Sequence, residues 1–286
     1  MSHQHETKNL KTAFFLNLLF TIIEIIGGLY TNSIAILSDA IHDLGDSVSL
    51  GISVFLEKVS KKDPDDKYTY GYQRFSLLGA LITSMVLFGG TIYILTESIP
   101  RLLNPETVDP AGMLVFAILG IVFNGLAFYR IHRGKEKSIN EKAVALHLLE
   151  DLFGWLAILI GSVILLFVDF FILDALLSIG IALFILFHVY RNLKEIFAIL
   201  LQKSPSNIDM KAIEEHISTF DGVIKMYHTH IWSMDGEKVM CSTHLVLKRD
   251  LTIENMQSIK NKVRNYLLEN SIEHVTIECE FLKHSH

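Results

Sequence analysis

The chain has 286 residues, of which 50% are hydrophobic and 20% charged, and its formal net charge is −6. Its mean hydropathy of +0.38 is too high for a typical soluble domain of this length, which predicts membrane-spanning segments. The modest negative charge argues against nucleic acid as a partner. The two cysteines, Cys241 and Cys279, lie in the more polar C-terminal part, so a disulfide framework is not expected.

Six apolar windows are each long enough to cross a bilayer, which takes roughly 20 residues. A pattern of alternating polar and apolar residues, typical of a soluble domain, begins near residue 201. The predicted organisation is a cytoplasmic segment at 1–11, a helical transmembrane domain at 12–200 and a cytoplasmic domain at 201–286. The six windows lie near 12–31, 35–57, 75–97, 112–130, 143–168 and 171–190.

Basic residues are concentrated in alternate connections between the windows. The second-to-third loop carries a cluster from Lys58 to Arg74, and the fourth-to-fifth loop carries another from Arg130 to Lys142. The opposite loops are nearly free of basic residues, as at Thr31-Asn32-Ser33. Because positively charged loops stay in the cytoplasm, both termini are predicted to lie there.

Two pairs of polar residues interrupt the apolar windows, His42 with Asp46 in the second and His147 with Asp151 in the fifth. The spacing of four residues places both side chains of each pair on the same helix face. An ionisable group at membrane depth costs roughly 2.5–3.5 kcal/mol, so the repeated pattern predicts a shared function. Two imidazoles and two carboxylates can complete a four-coordinate site for a divalent metal such as Zn²⁺.

Further polar residues near these pairs are predicted to support the site or to form a proton path. A single amide often bridges transmembrane helices, and a buried glutamate fits a packing role equally well. Glu150 adjoins the second pair but is off its register, so it is not expected to be a ligand. The residues in this group are Asn17, Glu24, Asp39, Asp43 and Glu150.

Three stretches carry a close resemblance to the cation diffusion facilitator family: Phe15-Leu16-Asn17 to Glu24, Ser33 to Asp46, and Tyr70-Gly71-Tyr72-Gln73-Arg74. The resemblance extends over the whole chain. It implies an integral membrane transporter, not an enzyme, that exchanges a divalent cation for protons as a homodimer, with a bacterial cytoplasmic membrane as the expected location. It also implies four ligands of the transported metal, and the histidine at the first of them is typical of the zinc branch. Those ligands are His42, Asp46, His147 and Asp151.

Ligand chemistry supports the same choice of metal independently, because imidazole suits Zn²⁺ and Co²⁺ whereas Mn²⁺ and Mg²⁺ prefer oxygen ligands. Metal binds only the deprotonated ligands, so loading Zn²⁺ would expel protons and protonation would expel Zn²⁺. Histidine titrates near pH 6.5, which suits that exchange. The same four ligands would also accept Cd²⁺ or Co²⁺.

Some members of the family carry an additional metal site in the second-to-third loop, made from an aspartate and two histidines. The corresponding positions here are Asp65, Tyr68 and Tyr72. A tyrosine pair is a poor set of Zn²⁺ ligands, so that site is predicted to be missing. Arg74 is expected to contact lipid headgroups or the cytoplasmic domain.

The C-terminal part predicts the order αββαβ, with helices at 209–220 and 253–270 and strands at 224–233, 238–248 and 274–281. Strand alternation places both cysteines in the core. The order resembles the metal-sensing domain of the family, a likeness that implies Zn²⁺ ligands at His230, His244 and Glu278, with Glu280 reaching in from the neighbouring subunit. His228 and Trp232 are expected to pack or to face a partner. The alternative is a set of surface histidines that bind no metal.

Two other classes of function are weighed against a carrier. An intramembrane metalloenzyme is disfavoured because the chain has no HExxH motif. A passive channel is disfavoured because a closed four-ligand site would hold the ion too tightly for fast conduction.

Overall fold

A computed structural model describes residues 2–60, 62–132 and 139–281. Within its helices, the side chains of residues 2–14, 16, 50, 53, 54, 57, 58, 127, 130–132 and 139–148 are outside that description. The chain divides into two compact units. They comprise Met1–Lys58 with Leu78–Leu193, and Val59–Leu77 with Lys194–His286.

Six long helices cover the six predicted windows. The last of them continues well past the predicted end at residue 190, because Arg191 and Lys194 are too polar for a bilayer but are good helix formers. The bounds are α1 (Ser2–Thr31), α2 (Ile34–Ser60), α3 (Phe75–Leu103), α4 (Pro110–His132), α5 (Ile139–Phe167) and α6 (Ile172–Leu200).

Among the described residues, three helical stretches are long and apolar enough to cross a membrane: Phe75–Leu103, Leu149–Phe167 and Ile172–Leu200. Two shorter apolar stretches, Asn17–Thr31 and Pro110–Leu126, belong to α1 and α4. Many large apolar side chains on these helices face outward, which is the arrangement expected when the solvent is lipid.

The core of the helical unit fixes α5 against α4. Trp155 is only 1% exposed and lies against Gly120, where an added Cβ would come within 2.1 Å of the indole ring. Glycine is therefore required for this close approach. Phe20 and Met113 belong to the same buried cluster. Since Trp155 follows Asp151 by one helical turn, this packing also fixes the segment of α5 that carries Asp151.

The second unit contains the predicted αββαβ order. Its elements are α7 (Met210–Ser218), β1 (Val223–Ser233), β2 (Val239–Leu247), α8 (Ile253–Glu269) and β3 (His274–Phe281). The sheet has the order β1-β2-β3, with β1 antiparallel and β3 parallel to the central strand. The parallel pair is connected through α8, as a crossover requires.

Both cysteines lie where strand alternation predicts them. Cys241 is 1% exposed in the core of the second unit, and Cys279 packs against that core from β3. Burial raises the pKa of the Cys241 thiol to about 11, and it also raises the pKa of Cys279. These thiols are protonated, structural groups.

Candidate metal sites

Two of the four predicted transport ligands lie side by side although they come from different helices. The Nε2 atom of His42 on α2 is 3.6 Å from the Oδ1 atom of Asp151 on α5, with side-chain exposures of 20% and 8%. Two ligand atoms of one tetrahedral Zn²⁺ are about 3.4 Å apart, given metal–ligand distances of roughly 2.1 Å. The pair therefore needs little adjustment to bind a single cation.

The other two predicted ligands belong to the same helices. Asp46 is half-buried on α2, one turn beyond His42. His147 belongs to α5, but its side chain lies outside the described residues. The participation of these two residues in the site stays a prediction.

A glycine brings α2 and α5 together at this level. An added Cβ at Gly154 would lie 3.3 Å from Oδ1 of Asp39, tighter than most real contacts of that kind. Gly154 follows Asp151 by three residues, so it lies on nearly the same face of α5. The absence of a side chain at Gly154 therefore leaves room for Asp39 of α2 beside the turn of α5 that carries Asp151.

Three more carboxyl groups are buried near the pair: Glu24, Asp39 and Asp43 are 1%, 4% and 5% exposed. Among the described residues, none of the three forms an ion pair with a lysine or arginine. Neither carboxyl oxygen of Glu24 has a hydrogen-bond partner among the described residues. Such a concentration of buried acids is costly unless protons or a cation neutralise it.

A cavity of about 350 Å³ lies beside His42 and Asp151. Asp39 and Glu150 line its polar side, and Gly180 and Phe184 of α6 belong to its apolar wall. The polar groups thus converge on a space large enough for a partly hydrated cation. Glu150 is exposed and adjoins the pair from α5.

Asn17 connects α1 to α2 at the level of the site. Its Nδ2 donates to the backbone carbonyl of Asp43 and to the hydroxyl of Ser47, both at 3.1 Å. This is the interhelical bridge expected of a single amide in a membrane domain.

In the loop between α2 and α3, the carboxylate of Asp65 accepts hydrogen bonds on both oxygens. The phenol of Tyr72 donates to Oδ2 at 2.6 Å, and the amides of Lys67 and Tyr68 donate to Oδ1 at 2.9 and 2.8 Å. The Tyr72 bond is the main reason why the pKa of Asp65 lies below its ordinary value. The same loop contacts β3, where the ring of Tyr70 meets His274 edge-on at 5.8 Å.

A second group of candidate ligands lies on the sheet of the second unit. The Nδ1 atom of His244 is 2.6 Å from Oε1 of Glu280, and its Nε2 atom is 3.8 Å from Oε2 of Glu278. One ligand atom from each of these three residues lies within 4.8 Å of the others. The parallel register that pairs His244 with Glu278 creates this arrangement. One imidazole and two carboxylates suit Zn²⁺.

Two details of this group differ from the expectation. Glu280, expected to reach in from a neighbouring subunit, contacts His244 of its own chain. It also accepts a 2.6 Å hydrogen bond from Tyr227, which raises the pKa of that phenol. His230 is exposed and is not part of the three-residue group.

His228 is brought to the group by an irregularity in β1. The register shifts between Tyr227 and His230, and His228 has a φ of +50°, uncommon for a non-glycine residue. Its ring lies 4.9 Å from the rings of both His230 and His244. The expectation from the sequence is that His228 packs or faces a partner, and the bulge in β1 has no signal in the sequence pattern.

Comparison with known proteins accounts for nearly the whole chain. Residues 10–201 match the cation efflux transmembrane domain, and residues 205–281 match the cation efflux protein, cytoplasmic domain.

Similar proteins align along almost their full lengths. The chain is 32% identical to the metal cation efflux system protein CzcD of Cupriavidus metallidurans, over 98% of this chain and 89% of the relative. It is 33% identical to a cadmium, cobalt and zinc/H(+)-K(+) antiporter of Bacillus subtilis, over 100% of this chain and 94% of the relative. It is 30% identical to the zinc transporter ZitB of Escherichia coli, over 98% and 90%. The protein therefore belongs to the cation efflux family, the cation diffusion facilitators, and combines their transmembrane and cytoplasmic domains.

Proposed function

We propose that this protein exports Zn²⁺ from the cytoplasm in exchange for protons by alternating access. The observation that carries the proposal is the 3.6 Å approach of His42 to Asp151, beside a cavity in the membrane domain. Full-length similarity to a zinc transporter and to an antiporter supports the choice of metal and counter-ion.

The proposed transport site combines His42 and Asp151, which lie side by side, with Asp46 and His147, which share their helix faces. Zn²⁺ would bind His42, Asp46, His147 and Asp151 in their deprotonated forms, and protons arriving from outside would displace it. The buried carboxyl groups of Glu24 and Asp43 would offer a place for a proton near the site. Asn17, Asp39 and Glu150 would support the ligands or the proton path.

The proposed topology has six spans with both termini in the cytoplasm. Six long helices support the count, and the basic residues in the second-to-third and fourth-to-fifth loops support the orientation. The proposed assembly is a homodimer in a bacterial cytoplasmic membrane, as its membership of the family suggests.

The cytoplasmic group is proposed to be a regulatory Zn²⁺ site. His244, Glu278 and Glu280 would supply the ligands, since one atom from each lies within 4.8 Å of the others. His230 is proposed as a further ligand. It would join the site if the end of β1 that carries it moved, or if the His230 of a second subunit reached the site.

Efflux of Cd²⁺ or Co²⁺ is the second candidate function. The name of the Bacillus subtilis relative includes cadmium and cobalt beside zinc. The ligand set supports it as well, because imidazole and carboxylate bind all three metals and affinity order alone does not select one.

The test is metal flux in proteoliposomes that contain the purified protein. Zn²⁺ movement should follow an imposed pH gradient and should reverse when the gradient is reversed. Asp151→Asn should abolish the flux, whereas Glu97→Gln removes an exposed carboxylate of α3 and should preserve it. Zn²⁺ flux that ignores the pH gradient would reject proton exchange, and equal flux in the Asp151→Asn variant would reject the site.

A further inference from the structure

A buried carboxylate at the start of α6 holds the first turn of α2. Oδ1 of Asp174 accepts a hydrogen bond from the Ser33 hydroxyl at 2.5 Å, and Oδ2 accepts one from the amide of Ile34 at 2.8 Å. Asp174 is 1% exposed. Its negative charge stabilises the amino end of α2 both by hydrogen bonding and through the helix dipole.

The same turn is held from α3. The guanidinium of Arg101 donates to the backbone carbonyl of Asn32 at 2.8 Å and to its side-chain oxygen at 2.9 Å. It also forms an ion pair with Glu106 at 2.9 Å. Asn32 has a φ of +54°, so the turn adopts a conformation that its neighbours must stabilise. We call Asn32, Ser33, Arg101 and Asp174 the outer clasp.

The outer clasp joins two pairs of helices that are each tied together internally. Ser98 of α3 and Ser178 of α6 share a buried 2.7 Å hydrogen bond. Asn17 ties α1 to α2 near the metal site. The clasp contacts connect the α1–α2 turn to α3 and α6, so they would have to change if one pair moved relative to the other.

The position of the clasp relates it to transport. Ile34 precedes His42 by eight residues, about 12 Å along a rigid helix. Displacement of the amino end of α2 would therefore move the helix that carries His42 and Asp46. Arg101 and Asn32 lie at the exposed end of the contact, where water can replace their hydrogen bonds when they separate.

We propose that the outer clasp is the gate that closes the outward end of the transport pathway and that it opens once in every transport cycle. This proposal rests on alternating access, because a carrier must close one end of its pathway while the site faces the other. Asp174 and Arg101 act as positioning residues and do not contact the metal.

The decisive test is a reversible lock. The Ser33→Cys/Asp174→Cys variant places two thiols where hydroxyl and carboxylate meet, and oxidation should join them. We expect Zn²⁺ flux in proteoliposomes to fall at least tenfold on oxidation and to return on reduction, with no such effect in either single variant. If the oxidised double variant transports as fast as its reduced form, with the disulfide verified by mass spectrometry, the proposed gate is wrong.

A second variant covers the case in which the double variant does not fold. Asp174→Asn keeps the shape but removes the charge, so the clasp should loosen. We expect the apparent KM for cytoplasmic Zn²⁺ to rise several-fold. We also expect Leu177→Cys, a reporter in the cavity wall, to react faster with an impermeant thiol reagent applied from outside. If the Asp174→Asn variant has the same KM and the same labelling rate as the parent protein, the proposal is wrong.

The parent protein in the same vesicles separates the two hypotheses. If the parent shows no proton-coupled Zn²⁺ flux, the proposed function fails. If the parent transports and the oxidised double variant transports equally well, only the gate fails.

Discussion

His42 and Asp151 lie 3.6 Å apart across α2 and α5, while Gly154 permits the close approach of the two helices and Trp155 fixes α5 in the core. The contact therefore results from helix packing in the surrounding structure. At 3.6 Å the two groups are too far apart for a normal hydrogen bond, and the adjacent cavity and buried acids favour a site that exchanges cations.

Loss of either member of this pair should abolish transport. We expect His42→Ala and Asp151→Asn each to reduce Zn²⁺ flux by at least about 100-fold, because even the outer partners of a metal ligand cost roughly 10–100-fold. Flux assays in proteoliposomes, normalised to folded protein by size-exclusion chromatography, measure the effect. A reduction of less than about threefold in both variants would show that the pair is structural.

The imidazole of His42 should set the choice of metal. We expect His42→Asp to retain transport but to admit harder cations such as Mn²⁺, since an all-oxygen set suits them better. Competition between Zn²⁺, Cd²⁺, Co²⁺ and Mn²⁺ for flux measures the change. Asp46→Glu, which keeps the ligand type, is the matched comparison, and an unchanged order of preference in His42→Asp would contradict the prediction.

The cytoplasmic group should bind Zn²⁺ separately from the transport site. In full-length protein that carries Asp151→Asn, we expect Glu280→Gln and His244→Ala to weaken the remaining Zn²⁺ affinity at least about tenfold. Isothermal titration calorimetry measures this affinity. Glu269→Gln at the exposed end of α8 should have no effect, and equal affinity in all three variants would place the bound metal elsewhere.

The two thiols should react slowly, and Cys241 more slowly than Cys279. Burial raises the pKa of Cys241 to about 11, so little thiolate exists near pH 8. We expect its reaction with a soluble disulfide reagent to be at least about 100-fold slower than that of a free thiol. Cys279→Ser isolates the Cys241 rate, and rapid modification in that variant without unfolding would contradict the predicted burial.

The hydrogen bonds to Asp65 in the loop between α2 and α3 should persist at pH values below the ordinary pKa of an aspartate. The folded-state pKa of Asp65 is lowered, so its contribution to stability is present above the unfolded pKa and is lost as pH falls through the folded value. Tyr72→Phe removes the main cause and should move that loss to higher pH. Hydrogen-exchange protection of the Lys67 and Tyr68 amides measures it, and identical pH profiles would contradict the assignment.

The helices and the αββαβ order could be predicted because each depends on local patterns. Apolar windows, strand alternation around Cys241, and the HxxxD spacing of Asp151 with its histidine are all visible in one dimension. The interactions that the sequence did not reveal depend on tertiary contacts. The bulge at His228 alters register, and the contact of Glu280 with His244 follows from the parallel pairing of β3.

Asp174 shows the same limit in the helical unit. Its position in the first turn of α6 is that of an ordinary acidic residue near a helix amino end. Its partners at Ser33 and Ile34 come from a distant part of the chain. Their role becomes apparent only when the helices are assembled.

The stoichiometry of tightly bound Zn²⁺ tests the central claim most directly. Protein with the cytoplasmic group removed by His244→Ala and Glu280→Gln should retain one Zn²⁺ per chain. Its X-ray absorption spectrum should show four nitrogen or oxygen ligands at roughly 2.0–2.2 Å. Replacing His42, Asp46, His147 and Asp151 together by alanine should remove that ion. One Zn²⁺ per chain with an unchanged spectrum after the four replacements would contradict the account.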